Sequence, residues 1–369
     1  MVRHLFFIGL FFLLPLCLGE FWLRDYLWEY ASYSNSDSID QQLKEWKGRQ
    51  KWDVVFIGDS EVRWGVNPIA FEEGVVSQGR QHISAFNHGF DGFGGSWWSV
   101  ILPKIFKNRF DSKSIQYIAI GVQMIGNDTF WEEMASLEMS KNCGALQHPV
   151  LTSSFGIDFG LDEFCNSKSG KIDQIFNKFD FNLWFLRYRS AIKSIFLDET
   201  GKMLRFNSAK SGNGFRGFEP HNPIKNNLES FNSDFARWKK QFDGQPHSLS
   251  PLPLKIWEDM VNYGGYFDRM TDLVRSLGAE PIFFALPTNP LVIDYFHRRS
   301  DYIRNSDLLA KWAKSRGVIE INLGILDRQD PEYYFSDMRH LSYYGAEDFS
   351  KRLAISLVNH KFFSNRFGQ

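Results

Sequence analysis

The chain has 369 residues, 43% hydrophobic and 23% charged, which places it among globular proteins of one large or two ordinary domains and excludes a disordered chain. A formal net charge of −1 and a sequence pI near 6.8 remove the electrostatic case for a nucleic-acid binder, which needs a basic face.

The N-terminus reads as an export or membrane segment. Arg3 and His4 precede an apolar run from Leu5 to Gly19, and Phe21, Trp22 and Leu23 follow Glu20. Cys17 and Gly19 have the small-residue spacing of a signal-peptidase site. Read through to Leu23, the run nears the ~20 residues that cross a bilayer, with Phe21 and Trp22 at the interface. An uncleaved anchor over residues 1–24 is the favoured expectation and a cleaved signal peptide the alternative; Leu16 is too bulky for a lipoprotein site at Cys17. Either way the body of the chain leaves the cytoplasm. Residues 25–51 read as a membrane-proximal connector ending in a short charged helix.

From Trp52 onward, five short apolar runs predict buried strands: Asp53–Ile57, His82–Phe86, Gln116–Ile120, Pro281–Leu286 and Val318–Asn322. Helical patterns fall between or after them, over Glu61–Glu73, Trp97–Lys107, Trp257–Leu277, Asp307–Arg316 and Gly345–His360. Gly278 and Gly317 stand where helix C-terminal caps belong. Such alternation predicts an α/β fold, a parallel five-stranded sheet covered by helices on both faces. It breaks between about residues 130 and 255, a stretch too long for an ordinary connection, so an insertion or lid is expected there within a domain spanning 52–369. The insertion carries an aromatic helical segment (Phe179 to Phe196), a Gly/Asn/Ser-rich part (Ser208 to Gly217) and two cysteines, Cys143 and Cys165. In an oxidising compartment those two could form a disulfide worth about 3 kcal/mol; two buried thiols are the other reading. The 36 Phe and 12 Trp fit an aromatic-rich core, with sugar-stacking surfaces or membrane proximity as alternatives.

Four segments carry candidate chemistry. Gly58-Asp59-Ser60 follows the first strand and opens a helix, so the Ser60 hydroxyl and its own N–H belong at the carboxyl edge of the sheet. Asp59 is assigned to the turn. The second strand runs into Asn87-His88-Gly89-Phe90-Asp91-Gly92, where Gly92 can offer an unobstructed backbone N–H. After the third strand comes Gly126-Asn127-Asp128; Asn127 could donate its amide to an oxyanion, a contact worth ~3–4 kcal/mol in a transition state. Gln123, nearer the strand end, is a competing donor. Last comes Asp337-Met338-Arg339-His340-Leu341-Ser342, just before the closing helix. Its three-residue spacing lets Asp337 hold one imidazole nitrogen of His340 while the other faces Ser60. Arg63 could contact an anionic substrate or form a surface salt bridge. His148, His221 and His297 lack ligand spacing, and Ser169-Gly170-Lys171 lacks the upstream glycine of a phosphate loop.

These blocks, in this order, resemble the SGNH/GDSL hydrolase superfamily. The Gly-Asp-Ser-x-x-x-x-Gly start (Ser60 to Gly65), the His-Leu-Ser-x-x-Gly-Ala run (His340 to Ala346) and the N-terminal segment are similar to its membrane-anchored bacterial branch, the DltD-like and AlgJ/AlgX-like proteins. The resemblance covers roughly 52–128 and 280–358. It implies a flavodoxin-like three-layer α/β/α sandwich, with Ser60 as nucleophile, His340 as base, Asp337 as its partner, and Ser60, Gly92 and Asn127 forming the oxyanion hole. It implies acyl-ester hydrolysis or O-acyl transfer on an acylated cell-envelope polymer through an acyl-serine. No metal or organic cofactor is needed for that chemistry, and a multipass acyl-donating membrane partner is implied by the branch. The expectation of a different class is a non-catalytic accessory protein of polymer modification or export that keeps the fold.

Overall fold

A computed structural model of the chain describes residues 52–89, 102, 115–125, 218, 228–242, 254–326 and 330–360. The expected anchor and connector (1–51), the helix expected over Trp97–Lys107 apart from Leu102, Gly92, Asn127, and the cysteines Cys143 and Cys165 lie outside the described residues. Among the described residues no helix is long and apolar enough to cross a membrane.

The five expected strands form one sheet. They are β1 (Val54–Gly58), β2 (Ala85–Gly89), β3 (Tyr117–Val122), β4 (Glu280–Ala285) and β5 (Ile319–Ile321), all parallel, in the order β2-β1-β3-β4-β5. That order is the flavodoxin-like one, and the α/β three-layer expectation holds. Alternate residues along each strand face opposite ways, and both sets are buried, which is why the strands read as continuous apolar runs. Val54, Phe56, Tyr117, Ala119, Ile282, Phe284, Ile319 and Ile321 join one core. On the other face Phe283 meets Phe267 and Trp312, with ring centroids 5.4 and 5.1 Å apart, so these three aromatic side chains serve packing.

The second strand begins three residues later than expected. Ser84 gives its backbone N–H and hydroxyl to Asp53 Oδ2 at 2.7 and 2.8 Å, and the His82 ring pairs with the Glu72 carboxylate at 3.1 Å. The Ser84 N–H and hydroxyl are thus taken by a side chain, while its carbonyl accepts from the Asp53 and Val54 amides, and the regular ladder starts at Ala85.

Among the described residues the helices are α1 (Ser60–Gly65), α2 (Pro68–Ser77), α3 (Leu228–Phe242), α4 (Leu254–Val261), α5 (Tyr266–Ser276), α6 (Pro290–Tyr295), α7 (Arg299–Arg316), α8 (Pro331–Tyr334) and α9 (Tyr343–Val358). Two helices expected as single pieces are each broken in two. The first divides at Val66-Asn67, because Asn67 caps a new helix by accepting from the Ile69 and Ala70 amides and Pro68 sits in its first turn. The second divides before α5, where Asp268 in the first turn takes the Gly264 amide at 2.8 Å. Helix α7 begins at Arg299, eight residues before the expected start at Asp307. Gly278 and Gly317 close α5 and α7 as expected. Phe218 and Phe231, at the end of the expected insertion, are buried in the core that α9 covers.

Helix α9 is fixed at its start. Ser342 caps it, accepting from Gly345 N–H at 3.0 Å and donating to the Tyr333 carbonyl at 2.7 Å. The Gly345 backbone lies so close to α8 that a Cβ there would overlap the Tyr334 carbonyl oxygen. Farther along, Ser350 Oγ accepts from the Asn67 amide at 2.8 Å, tying α9 to the α1–α2 junction. Gly345→Ala should therefore lower stability by about 1–3 kcal/mol, read as a drop in the urea midpoint at unchanged slope; an unaltered midpoint would show that α8 and α9 have room to part.

Candidate active site

Ser60 is the first residue of α1, directly beyond the carboxyl end of β1. Strand β1 lies between β2 and β3, so the chain leaves it in one direction and returns on the other side. Such a switch point opens a crevice at the carboxyl edge of a parallel sheet.

A six-residue helix is too short to be stable alone, and both of its ends are tied by side chains. At the N-terminus Asp59 Oδ1 accepts from the Glu61 amide at 2.9 Å, and Oδ2 accepts from Gln123 Nε2 at 2.6 Å. Asp59 thus belongs to the turn. Burial, reinforced by the Glu61 charge, pushes its carboxyl up to about 7, against the pull of Arg339, the Glu61 amide and His340. At the C-terminus the Asn87 amide donates to the carbonyls of Val62 and Val66 at 2.7 and 2.6 Å, with Arg63 O a third acceptor at 3.2 Å. Asn87 Oδ1 in turn accepts from Gly89 N–H at 2.8 Å. A side chain at Gly89 would collide with α1, since its Cβ would overlap the Arg63 backbone nitrogen. The Asn87-x-Gly89 element is thus a socket for the helix that bears Ser60.

The acid and the imidazole sit on the loop between α8 and α9. An antiparallel bridge joins Phe335 and Leu341, and Ser336 N–H donates to the His340 carbonyl at 2.9 Å. Asp337 Oδ1 accepts from the Arg339 and His340 amides at 2.7 and 2.8 Å. Its Oδ2 lies 2.8 Å from His340 Nδ1, and His340 Nε2 lies 3.0 Å from Ser60 Oγ. A carboxylate only accepts, so Nδ1 carries the imidazole proton and Nε2 is left to accept from the serine hydroxyl.

The electrostatics match that assignment. Burial alone would raise the Asp337 carboxyl, but the hydrogen bond and charge of His340 and the two loop amides outweigh it and hold the group at about 2. Burial alone would lower His340; the Asp337 hydrogen bond and charge, with Glu61 behind them, outweigh burial and Arg339, and the imidazole titrates above its ordinary value. Asp337 stays charged beside a ring whose protonated form it favours.

Three of the expected site residues, Ser60, His340 and Asp337, are therefore brought together. Gly92 and Asn127 lie outside the described residues. Gln123, the competing donor, is buried and bonded to Asp59. Arg63 is half-buried in the last turn of α1. His88 is fully buried, and burial holds its imidazole well below the usual range, so it is a neutral core histidine. Among the described residues no group of three or more His, Cys, Asp or Glu side chains is arranged to hold a metal ion.

Sequence reasoning gave no role to Glu61, Trp64, Asn87 or Arg339, although Asn87 and Arg339 lie within candidate segments. Arg339 lies inside the Asp-x-x-His segment and donates to Glu61 Oε1 from Nε at 3.0 Å and Nη2 at 2.8 Å. Trp64 packs on the His340 ring with centroids 4.2 Å apart. The available signal was the position of Glu61, Trp64 and Gly65 on one helical face beside the serine.

No protein-family model and no curated protein matches the chain.

Asn87→Ala should cost about 2–4 kcal/mol, because it leaves buried carbonyls of α1 without a donor; chemical denaturation reads the loss, and an effect below ~0.5 kcal/mol would contradict the socket. In an NMR titration, His340 should change charge above the ordinary histidine value of about 6.5. Asp337→Asn should move that midpoint downward, since it removes the charge that favours the imidazolium. A midpoint unmoved by the substitution would mean that the carboxylate does not control the ring.

Proposed function

We propose that the chain is an SGNH-type serine acylesterase or O-acyltransferase that works through an acyl-serine intermediate. The observation that carries the proposal is the relay Asp337–His340–Ser60, with contacts of 2.8 and 3.0 Å, at the switch point of the sheet. Nucleophile, base and orienting carboxylate are each within hydrogen-bond reach of the next.

In the proposed reaction Ser60 Oγ attacks the carbonyl carbon of an acyl ester while its proton passes to His340 Nε2. Asp337 stays ionised and stabilises the imidazolium. The tetrahedral oxyanion takes the Ser60 N–H, an amide of the first helical turn with no intrahelical carbonyl to serve, with Gly92 N–H and Asn127 as the further proposed donors. Collapse breaks the bond to the leaving alcohol, which takes the proton from His340. The acyl-serine is then attacked by water, giving hydrolysis, or by a second hydroxyl, giving transfer; His340 removes the proton of the incoming group and returns it to Ser60.

The substrate class rests on the sequence. The apolar run at Leu5–Gly19, read as an export segment, supports a body outside the cytoplasm, tethered or released by cleavage, and an acylated envelope polysaccharide as the proposed substrate. Arg63 is the proposed contact for an anionic group on such a polymer. A multipass membrane protein is the proposed acyl donor.

The test is turnover of a short-chain aryl acetate by the full-length chain in detergent. Wild type should release the phenol, Ser60→Ala should be inert, and His340→Ala should be slower by on the order of 10²–10⁴. A folded wild type no faster than Ser60→Ala would favour the accessory-protein reading instead.

A further inference from the structure

Helix α1 turns a specific face to the loop that carries His340. Glu61, Trp64 and Gly65 are spaced i, i+3, i+4 and so lie on one side of the helix. They meet Arg339, His340 and Leu341 in the same order. Arg339 donates through Nε and Nη2 to Glu61 Oε1, at 3.0 and 2.8 Å. The His340 ring lies against the Trp64 indole, tilted by 56°. A Cβ at Gly65 would stand 3.5 Å from Leu341 Cδ1, an ordinary van der Waals distance, so the leucine faces this side of the helix.

The ion pair at the head of this series is partly open to solvent, with side-chain exposures of 12% for Glu61 and 48% for Arg339, and such pairs add little to global stability. Its value is its location. Glu61 is covalently bonded to Ser60, and Arg339 to His340. Two donors from one guanidinium on a single carboxylate oxygen fix the distance and limit rotation about the contact. The Arg339 amide is itself held by Asp337 Oδ1, so the bracket and the acid share one loop turn.

We propose that Glu61 and Arg339 are positioning residues, an ionic bracket that holds the base-bearing loop on the nucleophile's helix and sets the Ser60–His340 distance, with Trp64 fixing the plane of the imidazole. This proposal rests on the acyl-serine reading above. Neither bracket residue touches the reacting atoms; each acts through its neighbour in the chain. A displacement of about 1 Å in such a contact can cost on the order of 10²-fold in rate.

Glu61 and Arg339 bias the His340 charge in opposite directions, the first favouring the imidazolium and the second opposing it. Asp337 also favours the imidazolium, and Asp59 interacts electrostatically with the same ring. The double variant Glu61→Gln/Arg339→Gln therefore removes the bracket while the two direct charge effects oppose each other. It should acylate from a neutral aryl acetate about 10- to 100-fold more slowly, through kcat rather than KM, with its urea midpoint nearly unchanged. Salt at about 1 M should slow wild type towards the double variant and leave the variant's rate alone. A readout free of turnover is the low-field NMR signal of the proton between His340 Nδ1 and Asp337, which should broaden in the double variant and in Arg339→Gln. A wild type that never acylates overturns the acyl-serine reading, and the low-field signal then decides the bracket. Variants that match wild type in both rate and low-field signal overturn the bracket itself.

Discussion

One hydrogen bond, 3.0 Å from Ser60 Oγ to His340 Nε2, joins residues 280 apart in the chain, and the described structure is organised around its two ends. At one end the serine opens a six-residue helix held by Asp59 below and Asn87 above. At the other, the imidazole is carried by a loop whose amides converge on Asp337 and whose exit is capped by Ser342. The sheet supplies the frame. Because β1 pairs with both β2 and β3, the socket residue Asn87 on β2 and the Asp59 partner Gln123, one residue beyond β3, flank the serine.

Charge is placed to serve the same contact. Asp337 is held ionised by its bonds to the loop, while Asp59, more deeply buried and beside Glu61, is pushed towards its neutral form. Three carboxyl groups thus sit near one histidine, yet their roles differ. Asp337 orients the ring, Asp59 caps the helix, and Glu61 receives Arg339. One kind of functional group fills three roles because burial and partners differ at each position.

The fold was largely legible because both faces of the sheet are buried, so Val54-Val55-Phe56-Ile57 and its counterparts stand out as unbroken apolar runs. Strand and helix ends were harder to read. The start of β2 is set by Asp53 reaching Ser84, and the break after α1 by an Asn67 cap, both local side-chain contacts that periodicity does not register. Ser60, Asp337 and His340 could be found because each chemistry demands its own residue type at a sheet edge. The roles of Asn87 and Arg339 could not be read, because their partners, the carbonyls of α1 and the carboxylate of Glu61, are remote in sequence and adjacent only after folding. The short spacing within Asp337-x-x-His340 concealed that one of its intervening residues reaches across to the serine's neighbour.

In the proposed mechanism Ser60 is a nucleophile activated by His340. The most direct measurement of that activation is peptide mapping by mass spectrometry after the full-length chain has reacted with a fluorophosphonate. One adduct per chain is expected, on the peptide that contains Ser60, and it should disappear when His340 is replaced by Ala. An adduct on another residue, or an unmodified Ser60 in a folded chain after exhaustive reaction, would contradict the mechanism.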